Sequence, residues 1–162
     1  MIVLRYAYVL ALVVWVGGLV TAGAFVAPSI FGVLQAEAGA AGRMLAGAAF
    51  GEVLRRLLLV GDLAGVAMLV SMTILRLLGP KPLSYGIRAV LLGGMLLANA
   101  YTAHVVLPEA EGLRREIAAP MATVAESDPR RVRFDHLHRL STTLVTAIAL
   151  AGTVVAAWEA RE

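Results

Sequence analysis

The sequence predicts an all-α integral membrane protein, an antiparallel bundle of four helices. Of its 162 residues, 60% are hydrophobic and the mean hydropathy is +0.83, whereas soluble domains are roughly 45–50% apolar. Four apolar runs separate at charged or Pro/Gly-rich stretches, and each has the roughly 20 residues that cross a bilayer core. Helices joined by short connections pack antiparallel, so we expect one membrane domain, residues 1–162.

The first two spans are predicted at about residues 6–34 and 53–78. Residues 6–35 carry no formal charge, and this length exceeds what a crossing needs, so the helix is expected to tilt or to bend at Pro28, which lacks an amide donor. Small residues at 36–51 predict a connector containing a short interfacial helix. Gly61 and Gly65 in span two have the small-xxx-small spacing of a helix-packing face.

The third and fourth spans are predicted at about residues 85–107 and 134–158. The run Gly79-Pro80-Lys81-Pro82 predicts a sharp turn before the third span, because two prolines and a glycine do not continue a helix. Pro108 is expected to end the third span. Residues 109–132 form the polar loop, with a short surface helix broken near Pro120.

An even number of spans places both termini on one side of the membrane, together with the 79–84 turn. Lys and Arg counted alone put the opposite side in the cytoplasm. The short stretch 76–88 carries only basic charges, and we give it more weight than the total count of Lys and Arg on each side. It predicts cytoplasmic termini in a bacterial inner membrane.

Several classes of function are excluded or disfavoured by composition. No cysteine is present, which rules out disulfides, thiolate metal sites and iron–sulfur clusters. The net charge of +3 lies at helix ends and in one loop and suits lipid headgroups better than nucleic acid. Nucleophilic triads, phosphate loops and paired catalytic carboxylates are not found, so we expect a protein other than an enzyme.

Nearly every polar residue within the spans falls in one half of the membrane, the half opposite the termini. His104 lies near the end of span three and His138 near the start of span four, so their depths match within about one turn at a rise of 1.5 Å per residue. Asp62 lies slightly deeper on span two. Ionisable groups inside a membrane usually face the bundle interior or a water-filled cavity, which predicts a one-sided polar cavity.

A metal site is one interpretation of this cavity, because imidazole binds copper, zinc and iron. His104 and His138 are expected to approach each other and clamp a metal ion or a haem, with Asp62 as a third ligand. His138 is taken as the inward histidine of its helix because Ser141 and Thr142 share its face. Residues expected to support these ligands are His136, Glu52, Arg55, Asn99, Tyr101, Arg139, Ser141 and Thr142.

Three other interpretations remain open from the residues alone. The histidines can be interfacial caps that bond carboxylates and headgroups, or they can relay protons. The chain can also be a non-catalytic subunit whose polar half binds a partner. In that case Arg55, Asp62 and Arg139 would form a salt-bridge network.

Two motifs carry a resemblance to known membrane proteins. Trp15-Val16-Gly17-Gly18 with Ala27-Pro28-Ser29-Ile30-Phe31, and Phe134-Asp135-His136-Leu137-His138-Arg139-Leu140-Ser141, resemble a family of four-helix bacterial membrane proteins of unassigned function. That family is similar to transmembrane proteins associated with platinum-drug resistance. It is more distantly similar to the copper-resistance D proteins and the haem-binding J-type protoporphyrinogen oxidase. The matching positions are Trp15, Gly18, Pro28, Phe31, His138 and Ser141.

The resemblance implies metal handling through the copper-resistance proteins and b-type haem through the oxidase. Together with the polar cavity it predicts a small membrane protein that binds or handles a transition metal, copper being the first candidate, or a metal complex. Haem b is the weaker alternative cofactor. The expected partners are the lipid bilayer and either a second copy of the chain or another membrane subunit.

Overall fold

The computed structural model describes residues 2–78, 85–117 and 119–160, and its described residues are helical apart from a short irregular stretch before Pro129. The all-helical class predicted from the sequence is confirmed. The predicted 79–84 turn lies outside the described residues. The helices are α1 (Ile2–Thr21), α2 (Ala27–Leu78), α3 (Tyr85–Tyr101), α4 (Leu107–Ile117) and α5 (Pro129–Glu159), with π-helical turns at Ala22–Val26 and Thr102–Val106 and a 3₁₀ turn at Met121–Thr123.

Helical hydrogen bonding runs through the π turns, so the described ranges contain three long helical stretches: Ile2–Leu78, which is kinked at Gly39, Tyr85–Ile117 and Pro129–Glu159. Each is long and apolar enough to cross a membrane. Large apolar side chains cover their outer surfaces, with Leu63, Val90 and Leu97 between 74% and 76% exposed. Extended apolar surfaces of this kind mark contact with a membrane or a partner, and lipid is the contact that helices of this length and composition fit.

Gly39 interrupts the long helix α2. Its φ of 55° lies in the left-handed region that glycine adopts without a Cβ penalty. Residues on its two sides then meet, since Phe31 packs edge-on against Phe50 with ring centroids 6.5 Å apart and a Cβ on Gly18 would lie 3.2 Å from Leu57. The chain therefore reverses direction at Gly39. The connector predicted at 36–51, with its short interfacial helix, is helical on both sides of this single residue and continuous with the helices that flank it.

Each π turn ends two residues before a proline. The amide of Ala27 bonds the carbonyl of Ala22 and the amide of Leu107 bonds that of Thr102, both five residues back, and Pro28 and Pro108 follow. A proline removes an amide donor and crowds the carbonyl four residues before it, and a wider π turn accommodates that crowding. The prediction that Pro108 ends the third span is wrong for this reason: the helix widens and continues to Ile117.

The buried residues of α1 and of α3 follow one pattern. Both sets are spaced four and three residues apart alternately, which is the spacing of a helix seam packed against neighbours. The two sets also coincide when the chain is shifted by 80 residues, as do the two π turns and their prolines. The buried positions are Tyr8, Leu12, Trp15, Leu19 and Ala22 in the first segment, and Arg88, Leu92, Met95, Asn99 and Thr102 in the third.

A charged cluster closes the end of the molecule that holds the chain termini. Arg88 is only 2% exposed and donates to the carboxylate of Glu159. The second oxygen of that carboxylate accepts from Arg5 Nε at 3.1 Å. The guanidinium carbon of Arg88 also lies 5.3 Å from the ring centroid of Tyr8. This cluster therefore ties α1, α3 and α5 together at one end.

Candidate functional site

Four polar side chains from three segments form a hydrogen-bonded row through the interior. The indole N–H of Trp15 donates to Asn99 Oδ1 at 3.1 Å. The amide of Asn99 donates to Asp62 Oδ1 at 2.8 Å and to the backbone carbonyl of Leu58 at 2.7 Å. The other oxygen of Asp62 lies 3.0 Å from His104 Nε2. We call Trp15, Asn99, Asp62 and His104 the polar row.

The direction of every bond in the polar row follows from its first member. An indole N–H can only donate, so Trp15 requires the oxygen of Asn99 as its partner. The amide nitrogen of Asn99 must then face Asp62, and the carboxylate accepts from it. His104 completes the row by donating from Nε2, which leaves Nδ1 as the ring nitrogen that can accept a bond or ligate a metal.

Two glycines of α2 make room for the polar row. A Cβ on Gly61 would lie 2.4 Å from Trp15 Nε1 and 2.7 Å from Asn99 Oδ1, distances that side chains do not tolerate. A Cβ on Gly65 would lie 2.9 Å from Leu96 and 3.1 Å from the Trp15 ring. The predicted packing face at Gly61 and Gly65 therefore receives the indole of Trp15.

Burial falls steadily along the polar row. Asn99 is fully buried and Trp15 is 1% exposed, whereas the side chains of Asp62 and His104 are 22% and 59% exposed. The buried end is fully bonded, so it fixes the Asp62 carboxylate and orients the His104 ring. His104 lies in the Thr102–Val106 π turn, a distortion that occurs frequently at functional sites.

His138 lies in a different place. It lines a cavity of about 390 Å³, together with Leu19, Phe31, Phe50, Leu54 and Val145, which we call the inner cavity. Its ring stacks on Phe134 with centroids 6.3 Å apart. The hydroxyls of Ser141 and Thr142 bond the backbone carbonyl of His138 at 3.2 and 2.9 Å, so both hydroxyls find their partner within their own helix.

A second cavity of about 380 Å³ adjoins the inner one and shares Phe31, Gly47, Arg114, Phe134 and His138 with it. Its further lining includes Arg43, Met44, Arg131 and Asp135, and we call it the outer cavity. Arg114 lies between the two. Sequence reasoning placed this residue in a surface loop and missed it, although the spacing of Gly47 and Gly51 could have indicated a close approach there.

The remaining predicted residues are distributed around this region. Glu52 accepts two bonds from Arg55, both at 2.8 Å, and one from Arg56 at 2.7 Å, so these three residues pair among themselves. In the described ranges no ion pair joins Arg55 or Arg139 to Asp62, and the suggested salt-bridge network is not formed. His136, Arg139 and Tyr101 are exposed.

The predicted metal ligands are only partly brought together. Asp62 and His104 are in contact, while His138 faces the inner cavity. Over residues 2–78, 85–117 and 119–160, no group of three or more His, Asp or Glu side chains gathers in a way that could hold a metal ion. Metal binding thus stays a prediction, and the geometry reduces its protein ligands to one imidazole with a carboxylate beside it.

The positions that carry the family resemblance have identifiable structural roles. Trp15 belongs to the polar row, and Gly18 leaves room for Leu57, which would lie 3.2 Å from a Cβ at this position. Pro28 follows the first π turn, and Phe31 lines both cavities.

The family described as Domain of unknown function (DUF4149) matches residues 10–119, which is more than half of the chain. No curated protein and no solved structure matches the chain. The chain belongs to the DUF4149 family.

Proposed function

We propose that this member of the DUF4149 family is a membrane protein of four antiparallel crossings that handles a transition metal ion or a small metal complex at His104. The observation that carries the proposal is the contact of His104 Nε2 with Asp62 at 3.0 Å. Histidines that ligate metals almost always donate their other ring nitrogen to a carboxylate or carbonyl, which fixes the tautomer and raises ligand basicity.

The proposal of four crossings rests on length and on Gly39. A straight helix of 77 residues would extend about 115 Å, nearly four times the roughly 30 Å of a hydrocarbon core. The reversal at Gly39 divides it into two segments in contact, which counts as two crossings. We place the termini in the cytoplasm of a bacterial inner membrane, following the basic residues at 76–88.

Coordination chemistry supports transient handling over permanent binding. A structural zinc site is closed by four protein ligands, whereas His104 supplies one nitrogen and Asp62 one oxygen already bonded to it. A metal at His104 would keep water or other ligands of its own, and it could therefore leave. The resemblance to copper-resistance proteins favours copper, and imidazole also suits zinc and iron.

The experiment is a titration of the metal-free protein with copper, zinc and iron, followed by absorption spectra and metal analysis. His104→Gln is expected to abolish binding, and Asp62→Asn to weaken it by about 10- to 100-fold, as loss of a supporting partner usually does. His136→Gln is the matched control, because that histidine is exposed and lies outside the polar row. Equal binding by the His104 and His136 variants, or none by the wild type, would contradict the proposal and favour a subunit that binds a partner.

A further inference from the structure

Arg114 presents a cation to the two cavities. Its Nη1 donates to the carbonyl of Gly47 at 3.2 Å, and its guanidinium carbon lies 5.4 Å from the ring centroid of Phe134. A guanidinium carries five N–H donors. One of them bonds the carbonyl of Gly47, the Phe134 ring lies beside the group, and Glu111 lies nearby. No carboxylate of a described residue forms an ion pair with it.

Gly47 and Gly51 hold this cation close to α2. A Cβ at Gly47 would lie 3.7 Å from the guanidinium of Arg114, and one at Gly51 would lie 3.5 Å from it. The arginine therefore packs against a surface without side chains. From this position Arg114 lines both the inner and the outer cavity.

The surroundings of Arg114 are basic on one side and apolar on the other. Arg43 and Arg131 line the outer cavity, where Arg131 lies 3.9 Å from Asp135 and 3.5 Å from Glu126. The inner cavity is lined mainly by apolar side chains, with Glu111 beside Arg114 at its outer end, and it extends along α5 from Phe134 to Thr146, a rise of about 18 Å. A site with positive charge at one end and apolar walls at the other matches a ligand with the opposite charge and an apolar chain.

The depth of Arg114 suits a lipid-like ligand. Arg88 and Arg114 lie in one continuous helix, 26 residues and so about 39 Å apart along its axis, more than the roughly 30 Å of the hydrocarbon core. Glu109, Glu111, Arg115 and Glu116 surround Arg114 in sequence, so its end of the helix is the one that reaches the headgroup layer. The inner cavity runs from that layer toward the middle of the membrane.

We propose that the two cavities form a binding site for an anionic amphiphile, whose carboxylate or phosphate contacts Arg114 and whose acyl chain lies in the inner cavity. Guanidinium binds both anions through paired N–H bonds, so a fatty acid and an anionic phospholipid share the required chemistry. The volumes of about 390 and 380 Å³ fall in the range of small-molecule pockets, roughly 300–1,000 Å³. This site is separate from the polar row and does not depend on metal binding.

Binding of tritiated oleate to the delipidated full-length protein in a neutral detergent tests the contact between the ligand's carboxylate and Arg114. Arg114→Gln is expected to weaken binding about tenfold or more, as loss of a charge-assisted hydrogen bond does. Arg115→Gln is the matched control, because the neighbouring arginine is 83% exposed, and its affinity should stay within about twofold of the wild type. Arg114→Lys keeps the charge and should fall between the two.

Competition identifies the source of the anion. Dioleoylphosphatidylglycerol should displace oleate if the site accepts phospholipid, and failure to displace identifies a fatty-acid site; both results retain the proposal. Dioleoylphosphatidylcholine should compete poorly. Displacement by inorganic phosphate as effective as that by the lipid would overturn it, because the acyl chain would then contribute nothing.

The position of the ligand's acyl chain is tested by a substitution that fills the inner cavity. Gly23 lines it, and a Cβ there meets nothing within 4 Å, so the side chain of Gly23→Leu starts in open space. This variant should lose oleate binding while retaining octanoate. Gly32→Leu, at a glycine whose Cβ also meets nothing, should retain both. Unchanged affinity for oleate in the Gly23 variant, or in Arg114→Gln, would refute the site.

Discussion

Adding one methyl group at Gly61 tests whether the polar row organises the interior. In Gly61→Ala the new Cβ would lie 2.4 Å from Trp15 Nε1 and 2.7 Å from Asn99 Oδ1. Both neighbours are at most 1% exposed, so neither can move into open space. The indole and the amide must separate, which breaks the bond between them.

The expected loss of stability combines overpacking and unpaired polar groups, and it is reduced by the higher helix propensity of alanine. Overpacking a filled interior costs about 1–3 kcal/mol, and leaving a buried donor and acceptor without partners costs about 1–3 kcal/mol. Alanine gains up to about 1 kcal/mol over glycine in a helix. We therefore expect Gly61→Ala to lower the free energy of unfolding by about 3 kcal/mol.

The assay is unfolding in detergent, followed by circular dichroism and by indole emission. The chain has two tryptophans, so a Trp158→Phe background assigns the emission to Trp15, which should shift to the red in the Gly61 variant. Gly17→Ala is the control, because a Cβ there meets nothing within 4 Å. If the two alanine variants are equally stable and have equal emission, Trp15 and Asn99 are not packed on Gly61 and the reasoning fails.

The charged cluster at the termini predicts that Glu159→Gln destabilises the fold by about 1.5–3 kcal/mol in chemical unfolding, because it weakens a charge-assisted hydrogen bond of the buried Arg88. Gly39→Ala should cost about 1–2 kcal/mol in the same assay, since φ at this position is positive. Asp128 caps α5, and its hydrogen bonds from the Arg130 side chain and backbone lower the pKa of that carboxyl to about 2 from 3.8. The cap should therefore be fully present above about pH 4 and lost as the pH falls toward 2. Hydrogen exchange of the first α5 amides reports that loss.

Each of these outcomes has a matched comparison. Glu116→Gln alters an exposed glutamate and should leave stability unchanged, and Gly32→Ala introduces a Cβ into open space and should be neutral or stabilising. In Asp128→Ala the first amides of α5 should exchange rapidly at every pH. A wild type whose α5 amides show the same protection at pH 2 and pH 6 would contradict the role assigned to this carboxylate.

The sequence predicts which residues lie at similar depth, because depth depends only on helical rise. This rule places Asp62 slightly deeper than His104, and the two side chains are in contact. Depth says nothing of the direction in which a side chain points around the bundle. His104 and His138 were predicted to meet for that reason, yet His104 bonds Asp62 and His138 turns toward the inner cavity.

The two prolines and Gly39 show where local rules fail. Pro108 predicts a helix end, but that rule concerns α-helical geometry, and a π turn removes the conflict. The small residues around Gly39 predict a connector containing a short interfacial helix, whereas the helices on both sides run up to one residue with positive φ, which is sufficient to reverse the chain. Both outcomes depend on the gain from packing the adjoining segments, which the local sequence does not encode.

The 80-residue correspondence between α1 and α3 has a consequence for stoichiometry. The position of Asn99 is occupied in the first segment by the buried Leu19, and that of His104 by Ala24. The two segments share their seam, their π turn and their proline, but only one carries an amide and an imidazole. Any ligand of the polar row should therefore saturate at one equivalent per chain. The first segment has the same seam, π turn and proline within the same molecule, but it lacks the amide and the imidazole of the site.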